Sequence, residues 1–379
     1  MKLIHGKLIW KSPKPYGETM VPDPEKIRLE FPHVIHFKGH WYCTFREAQI
    51  HFNHWSGTSR VIRSADGVNW ESVALFGWDS ADVGLSRFSI TAEGHLMVNA
   101  LVAFVSREPR EDGCHYQLDK EKYRPAPGWS NWAPCSDIEE DVAQQSVTWV
   151  SVDGLDWGTA FACPTGVNTQ RVDVTWHDGM GYSVGYGGKD PRGTLYRTRD
   201  GKSWRVLKHE VFSKTGVGEN ESDLAFTPDG TACCVARCGA PRVMIGVSRG
   251  PYYQDWVWKK AGVDWNSDGT ITPASQIFRV DMGGPDIIRV SDGRLLLAAR
   301  WLGPERPGGP LRIDPSDPEG REDGSVMLFW VDAHSAVLTP FVEVDGTSYP
   351  GICEHNRKIW VSYIGGDRSG VFLAEIDLE

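Results

Sequence analysis

Apolar and polar residues alternate along this chain in short runs, and glycine turns separate the runs. Leu3 to Lys11 alternates. His33 to Phe37 and Trp41 to Phe45 follow, joined at Lys38-Gly39. The same arrangement returns at Phe88-Ser89-Ile90 and Leu96 to Phe104 around Glu93-Gly94, and at Val172 to Trp176 with Tyr182 to Tyr186. It recurs at Asp223 to Phe226 with Cys233 to Arg237, at Asp286 to Val290 with Leu295 to Ala299, and at Tyr349 to Cys353 with Ile359 to Tyr363. A period of two with turn residues between runs predicts antiparallel hairpins. No segment of helical period exceeds two turns.

A second repeat sets the scale. Ser64-Ala65-Asp66-Gly67-Val68-Asn69-Trp70 reads S-x-D-G-x-x-W; Ser151 to Trp157 repeats it, and Thr198 to Trp204 repeats it with Thr for Ser. The hydroxyl and the carboxylate can bond backbone N–H groups of a tight turn, glycine permits φ > 0, and tryptophan packs beneath. Each copy therefore marks a turn between two outer strands, and the fourth unit holds a degenerate version from Ser248 to Trp256. Six such units and one lone N-terminal strand predict an all-β fold: a six-bladed β-propeller of four-stranded antiparallel blades, closed by Leu3 to Lys11 pairing with the last blade. The expected domain is the whole chain, 1–379, with insertions at about 106–144 and 302–324.

Composition narrows the partners. The chain has 379 residues, 41 Gly and 23 Pro, as many turns require, and 17 Trp, which suit both turn packing and sugar platforms. Its formal net charge of −10 with no basic run argues against nucleic acid. No window approaches 18 consecutive apolar residues, so no membrane span is expected, and the first ten residues lack a signal-peptide core; the expected location is cytoplasmic. The 8 Cys lack zinc-site spacing and read as buried thiols, with Cys114 and Cys135 able to pair within one loop. No cofactor motif and no complete metal-ligand set is evident.

In a propeller the starts of the inner strands face one shared cavity. That places Glu30, His33, Arg87, Gln170, Arg171, Asn220, Glu221, Asp286 and Tyr349 there, with Arg46, Glu47, Arg237 and Arg300 at the far ends of second strands. Five arginines in one cavity of an acidic protein point to an anionic sugar. His51 and His54 lie in a loop with Trp55 and titrate in the range of acid–base catalysts.

The three S/T-x-D-G-x-x-W turns resemble the Asp boxes of the sialidase-like propellers. Asn220-Glu221-Ser222, with Arg237 following in Val235-Ala236-Arg237, resembles the sialidase glutamate and one arginine of the arginine triad. Thr347-Ser348-Tyr349-Pro350-Gly351 resembles the segment of the nucleophilic tyrosine. The resemblance implies a retaining exo-glycosidase in which Glu221 takes the Tyr349 proton. Two positions depart from it. Glu30-Phe31-Pro32 stands where sialidases place Arg before Ile-Pro, and the loop from Ala48 to Trp55 contains no Asp. Glu30, His51 or His54 then become candidates for the acid, and Arg46, Arg87, Arg171, Arg237, Arg300, Asp286, His33 and Trp55 for substrate binding. Two other readings stay open: a lyase on a uronic-acid linkage, using a histidine or tyrosine base, and a non-catalytic propeller with Trp55, Trp129 and Trp132 as sugar platforms.

Overall fold

In a computed structural model of the protein, described for residues 2–13, 27–49, 57–78, 81–109, 116–118, 144–187, 190–212, 221–237, 243–267, 270–273, 282–301, 325–347 and 349–378, six sheets form the blades of a propeller. Each blade is built on four antiparallel strands, and no helix occurs among the described residues. The inner strands are Arg28–Phe37, Ala81–Ile90, Thr175–His177, Ser222–Phe226, Met282–Arg289 and Gly351–His355.

Both faces of a blade are covered by neighbouring blades, so the strands are buried on both sides. Six apolar clusters fill the six interfaces around the ring. Between blades four and five, for example, Cys233, Val235 and Ile245 meet Leu297, Trp301 and Phe329. Two-sided burial explains why the alternation of the inner and second strands is muted by runs such as Leu295–Trp301.

The repeated turns join the third and fourth strands of blades one, two and three. In the first, Asp66 Oδ1 accepts the N–H groups of Val68 and Asn69, both at 2.8 Å, and Ser64 Oγ accepts that of Gly67 at 2.9 Å. The glycine of the second turn has φ 79°, and a Cβ there would stand 2.3 Å from Tyr42 Oη, so it serves both the turn and the docking of blade two on blade one.

Ring closure differs from the expected single strand. Lys7–Lys11 pairs with Gly370–Asp377 of blade six, as expected, but Leu3–Ile4 pairs in parallel with Val337–Val344 of blade five. The break falls at His5-Gly6, where a side chain on residue 6 has no room. The Gly6 N–H donates to Tyr363 Oη at 2.7 Å, and a Cβ there would lie 2.7 Å from the same oxygen. One segment thus latches two blades.

Three inner strands also begin earlier than their alternation predicts. His33, Phe88 and Asp286 open the alternating runs, yet the strands start at Arg28, Ala81 and Met282. In each case a bulge interrupts the alternation immediately upstream.

Candidate functional site

The bulges shape the site. Pairing slips between Glu30 and His33, between Gly84 and Arg87, and between Gly283 and Asp286. Each slip holds one residue in the left-handed region: Phe31 at φ 55°, Leu85 at 47° and Gly284 at 55°. For Phe and Leu this costs about 1–2 kcal/mol each, which the surrounding packing must offset. Pro32 and Pro285 follow two of these residues; a bulge tolerates proline because the ladder does not need its missing N–H. Phe31 and Leu85 join Leu101, Val172 and Tyr349 in one buried apolar collar, with the Phe31 and Tyr349 rings 5.2 Å apart.

Tyr349 is the polar tip of this collar. Its Oη donates to Glu221 Oε1 at 2.6 Å. Arg237 Nη1 donates to Glu221 Oε2 at 3.0 Å and to Tyr349 Oη at 3.3 Å. The Gly284 N–H adds a third bond to Glu221, reaching Oε2 at 2.9 Å. Arg300 lies over the Tyr349 ring, 4.9 Å from its centroid. The side chains of Glu221 and Arg237 keep 15% and 18% exposure, so the group has access to solvent. Burial, reinforced by the Glu221 charge, raises the Tyr349 phenol well above its ordinary value, against Arg300 and Arg237. The resting group is therefore a phenol already aimed at a carboxylate, which can take its proton only as the oxygen attacks.

The glycine pair beside it leaves room for this ring. A Cβ on Gly284 would stand 2.3 Å from Tyr349 Cγ, and one on Gly283 would stand 2.5 Å from Cε1. Gly284→Ala is expected to destabilise the protein by about 1–3 kcal/mol through overpacking and left-handed strain. It should also weaken the bond from this N–H to Glu221. Urea denaturation monitored by tryptophan fluorescence checks the first effect; an unchanged midpoint would mean that the ring yields freely.

A second cluster lies across blades one, two and six. Glu30, fully buried, accepts from Arg28 Nε at 2.6 Å and Arg46 Nη1 at 2.7 Å, with Arg368 Nη1 at 3.5 Å. Arg46, also fully buried, donates through Nε and Nη2 to the two oxygens of Asp82, at 2.8 and 2.7 Å. Burial opposes the Arg46 charge, but Asp82 and Glu30 outweigh it and raise the guanidinium above its ordinary value.

A third group rings the central channel, a cavity of about 310 Å³. The cavity is lined by His33, Arg87, Asp223 and Asp286 from four inner strands and by Asp173, two residues before a fifth. Several of these side chains hold the next blade's backbone. His33 Nδ1 accepts the Phe88 N–H at 3.2 Å, Asp223 Oδ2 that of Ile287 at 2.9 Å, and Asp286 Oδ2 that of Ile352 at 2.9 Å. Because His33 Nδ1 is an acceptor, its proton sits on Nε2, which is 3.3 Å from Asp286. Burial lowers the His33 imidazole, so it is neutral at pH 7, although Asp286 opposes this. Burial raises the Asp223 carboxyl well above its ordinary range, reinforced by the nearby Asp173 and Asp286.

The structure thus brings together Tyr349, Glu221, Arg237 and Arg300. It places Glu30 with Arg46, and sets His33, Arg87 and Asp286 around the channel. Arg171 stands apart, between blades two and three. Its guanidinium lies 4.3 Å from the Trp204 ring centroid and donates to Thr165 Oγ1 at 3.1 Å. His51, His54 and Trp55 lie outside the described residues, as do Asn220, Trp129, Trp132, Cys114 and Cys135. Among the described residues no group of His, Cys, Asp and Glu is arranged to hold a metal. Sequence reasoning missed Asp82, Arg28, Arg368 and Asp173 as partners.

No protein-family model matches the chain, and no curated protein matches it. Solved structures do share its fold. A protein of unknown function from Dyadobacter fermentans superposes with a TM-score of 0.64 at 16% identity, over 97% of this chain and 99% of that one. A Hadza microbial sialidase gives 0.59 at 15% identity, over 92% of this chain and 65% of that one. The GH93 α-L-arabinofuranosidase of Fusarium graminearum, solved with arabinobiose, gives 0.57 at 11% identity, over 98% and 99%. The six-bladed propeller is thus the fold of sialidases and of GH93 arabinofuranosidases.

Proposed function

We propose that this chain is a retaining exo-glycosidase that removes an anionic terminal sugar, with Tyr349 as nucleophile and Glu221 as its base. The observation that carries this reading is the 2.6 Å bond from the Tyr349 phenol to Glu221, with Arg237 bridging both groups. A buried tyrosine serving structure alone needs one acceptor and no flanking cations. Here two guanidiniums flank the phenol, and in this reading they serve a carboxylate on the sugar. The fold shared with sialidases and arabinofuranosidases agrees with a glycosidase.

In the first step the Tyr349 oxygen bonds to the anomeric carbon as its proton passes to Glu221, and the bond to the leaving oxygen breaks. That oxygen takes a proton from an acid. Glu30 is fully buried among arginines, which leaves His51 and His54 as the candidates of this reading for that acid. In the second step water gives a proton to the group that protonated the leaving oxygen and attacks the anomeric carbon; the bond to the Tyr349 oxygen breaks, and that oxygen takes its proton back from Glu221. Two inversions give net retention.

The test is a panel of 4-methylumbelliferyl glycosides: an N-acetylneuraminide, a uronide and an α-L-arabinofuranoside. Proton NMR would identify the first anomer formed. Release from a carboxylated sugar with retained configuration is expected. An inverted first product would overturn the tyrosine mechanism, and cleavage of the arabinofuranoside alone would overturn the anionic substrate.

A further inference from the structure

Arg87 is a buried guanidinium, 3% exposed, on the channel side of the apolar collar. Its Nη1 donates to two backbone carbonyls, Pro32 at 3.3 Å and Pro350 at 3.1 Å. Those residues directly follow Phe31 and Tyr349, the two rings in contact at the site. Its Nε is 3.2 Å from Asp173 Oδ1, an ion-pair contact that lacks hydrogen-bond geometry. One side chain of blade two therefore ties blades one, three and six together beneath the nucleophile. We infer that Arg87, anchored by Asp173, is a positioning residue that fixes Tyr349 and its Phe31 platform from the channel side rather than a ligand for substrate.

The geometry needs arginine. A planar fork can meet two carbonyls and a carboxylate at once, whereas an ammonium on a flexible stem offers a single point. The anchor is itself titratable. Burial pushes the Asp173 carboxyl up to about 7, with Asp286 and Glu221 adding to the rise and Arg87 opposing it. The other titratable groups near it are Asp223 and the Tyr186 phenol, with His33 lining the same channel. Above about pH 7 the ionised carboxylate holds Arg87; below it, the protonated form holds less firmly. The hold on Tyr349 should therefore strengthen as pH rises through neutrality.

The inference rests on the reading of Tyr349 as nucleophile, and the experiment keeps the two separable. Full-length wild type, Asp173→Asn, Arg87→Lys and Tyr349→Phe would be prepared with tyrosine labelled at Cζ with carbon-13. The last variant assigns the Tyr349 resonance. Asp173→Asn and Arg87→Lys are expected to displace that resonance while leaving most other tyrosines in place, a readout that needs no turnover. On the glycoside that wild type cleaves best, both should lower kcat about tenfold with KM within about twofold. In Asp173→Asn the rise of kcat through neutrality should be lost, because an amide cannot ionise and stays in the weakly holding state at every pH. An unmoved resonance and unchanged kcat in both variants would overturn the positioning role even if Tyr349→Phe is inactive. Full activity in Tyr349→Phe would instead overturn the nucleophile, while a displaced resonance in Asp173→Asn would still support the physical link.

Discussion

Tyr349→Phe is expected to lower kcat/KM by 10²-fold or more, at least about 2.7 kcal/mol of transition-state stabilisation. The substitution removes one oxygen and keeps the ring in the collar with Phe31, Leu85, Leu101 and Val172. Glu221 retains its bonds from Arg237 and from the Gly284 N–H. The structural cost should therefore be only about 1–2 kcal/mol, since the phenol's bonds to Glu221 and from Arg237 are lost but those two partners keep each other. A large loss of rate with a small loss of stability is the signature of a reacting group; a matched loss of both would mark a framework residue. The measurement pairs steady-state kinetics with urea denaturation of the same two proteins.

The second large effect is on stability. Arg46→Met should destabilise the propeller by about 3–5 kcal/mol, because it strips a fully buried guanidinium from two buried carboxylates. Glu30 keeps Arg28 and Arg368, but Asp82 loses both arms of its fork. The double variant Arg46→Met/Asp82→Leu should recover part of the loss, since an apolar pair of similar volume is less costly than an unpaired charge. Equilibrium unfolding of both variants checks this. A loss under about 1 kcal/mol for the single variant would show that water reaches the cluster and screens it.

These two sites were legible to different degrees. Tyr349, Glu221 and Arg237 sit at strand starts and ends that hairpin spacing alone locates, and the structure brings them within hydrogen-bonding distance. Glu30 stood out as a charge in an unexpected place, but its partners did not. Asp82 lies on another blade and Arg368 is 338 positions away, and nothing local marks either as a partner. Arg87 and Arg171 read alike in the sequence, as arginines at inner-strand starts. The left-handed turn at Leu85 sets Arg87 in the channel ring, whereas Arg171 packs over Trp204.

By itself the sequence determined what depends on neighbours a few residues apart: the strands, from period-two alternation; the hairpins, from glycine with Asp or Ser; and the number of blades, from the repeat of those signals. Each is local because strand and turn conformations are chosen over four to ten residues. Only the tertiary structure decided which charges meet, how Leu3–Ile4 and Lys7–Lys11 divide between two blades, and where bulges break the alternation. Those outcomes depend on contacts between blades, where burial makes an unpaired charge or polar group costly and so selects partners regardless of their separation along the chain.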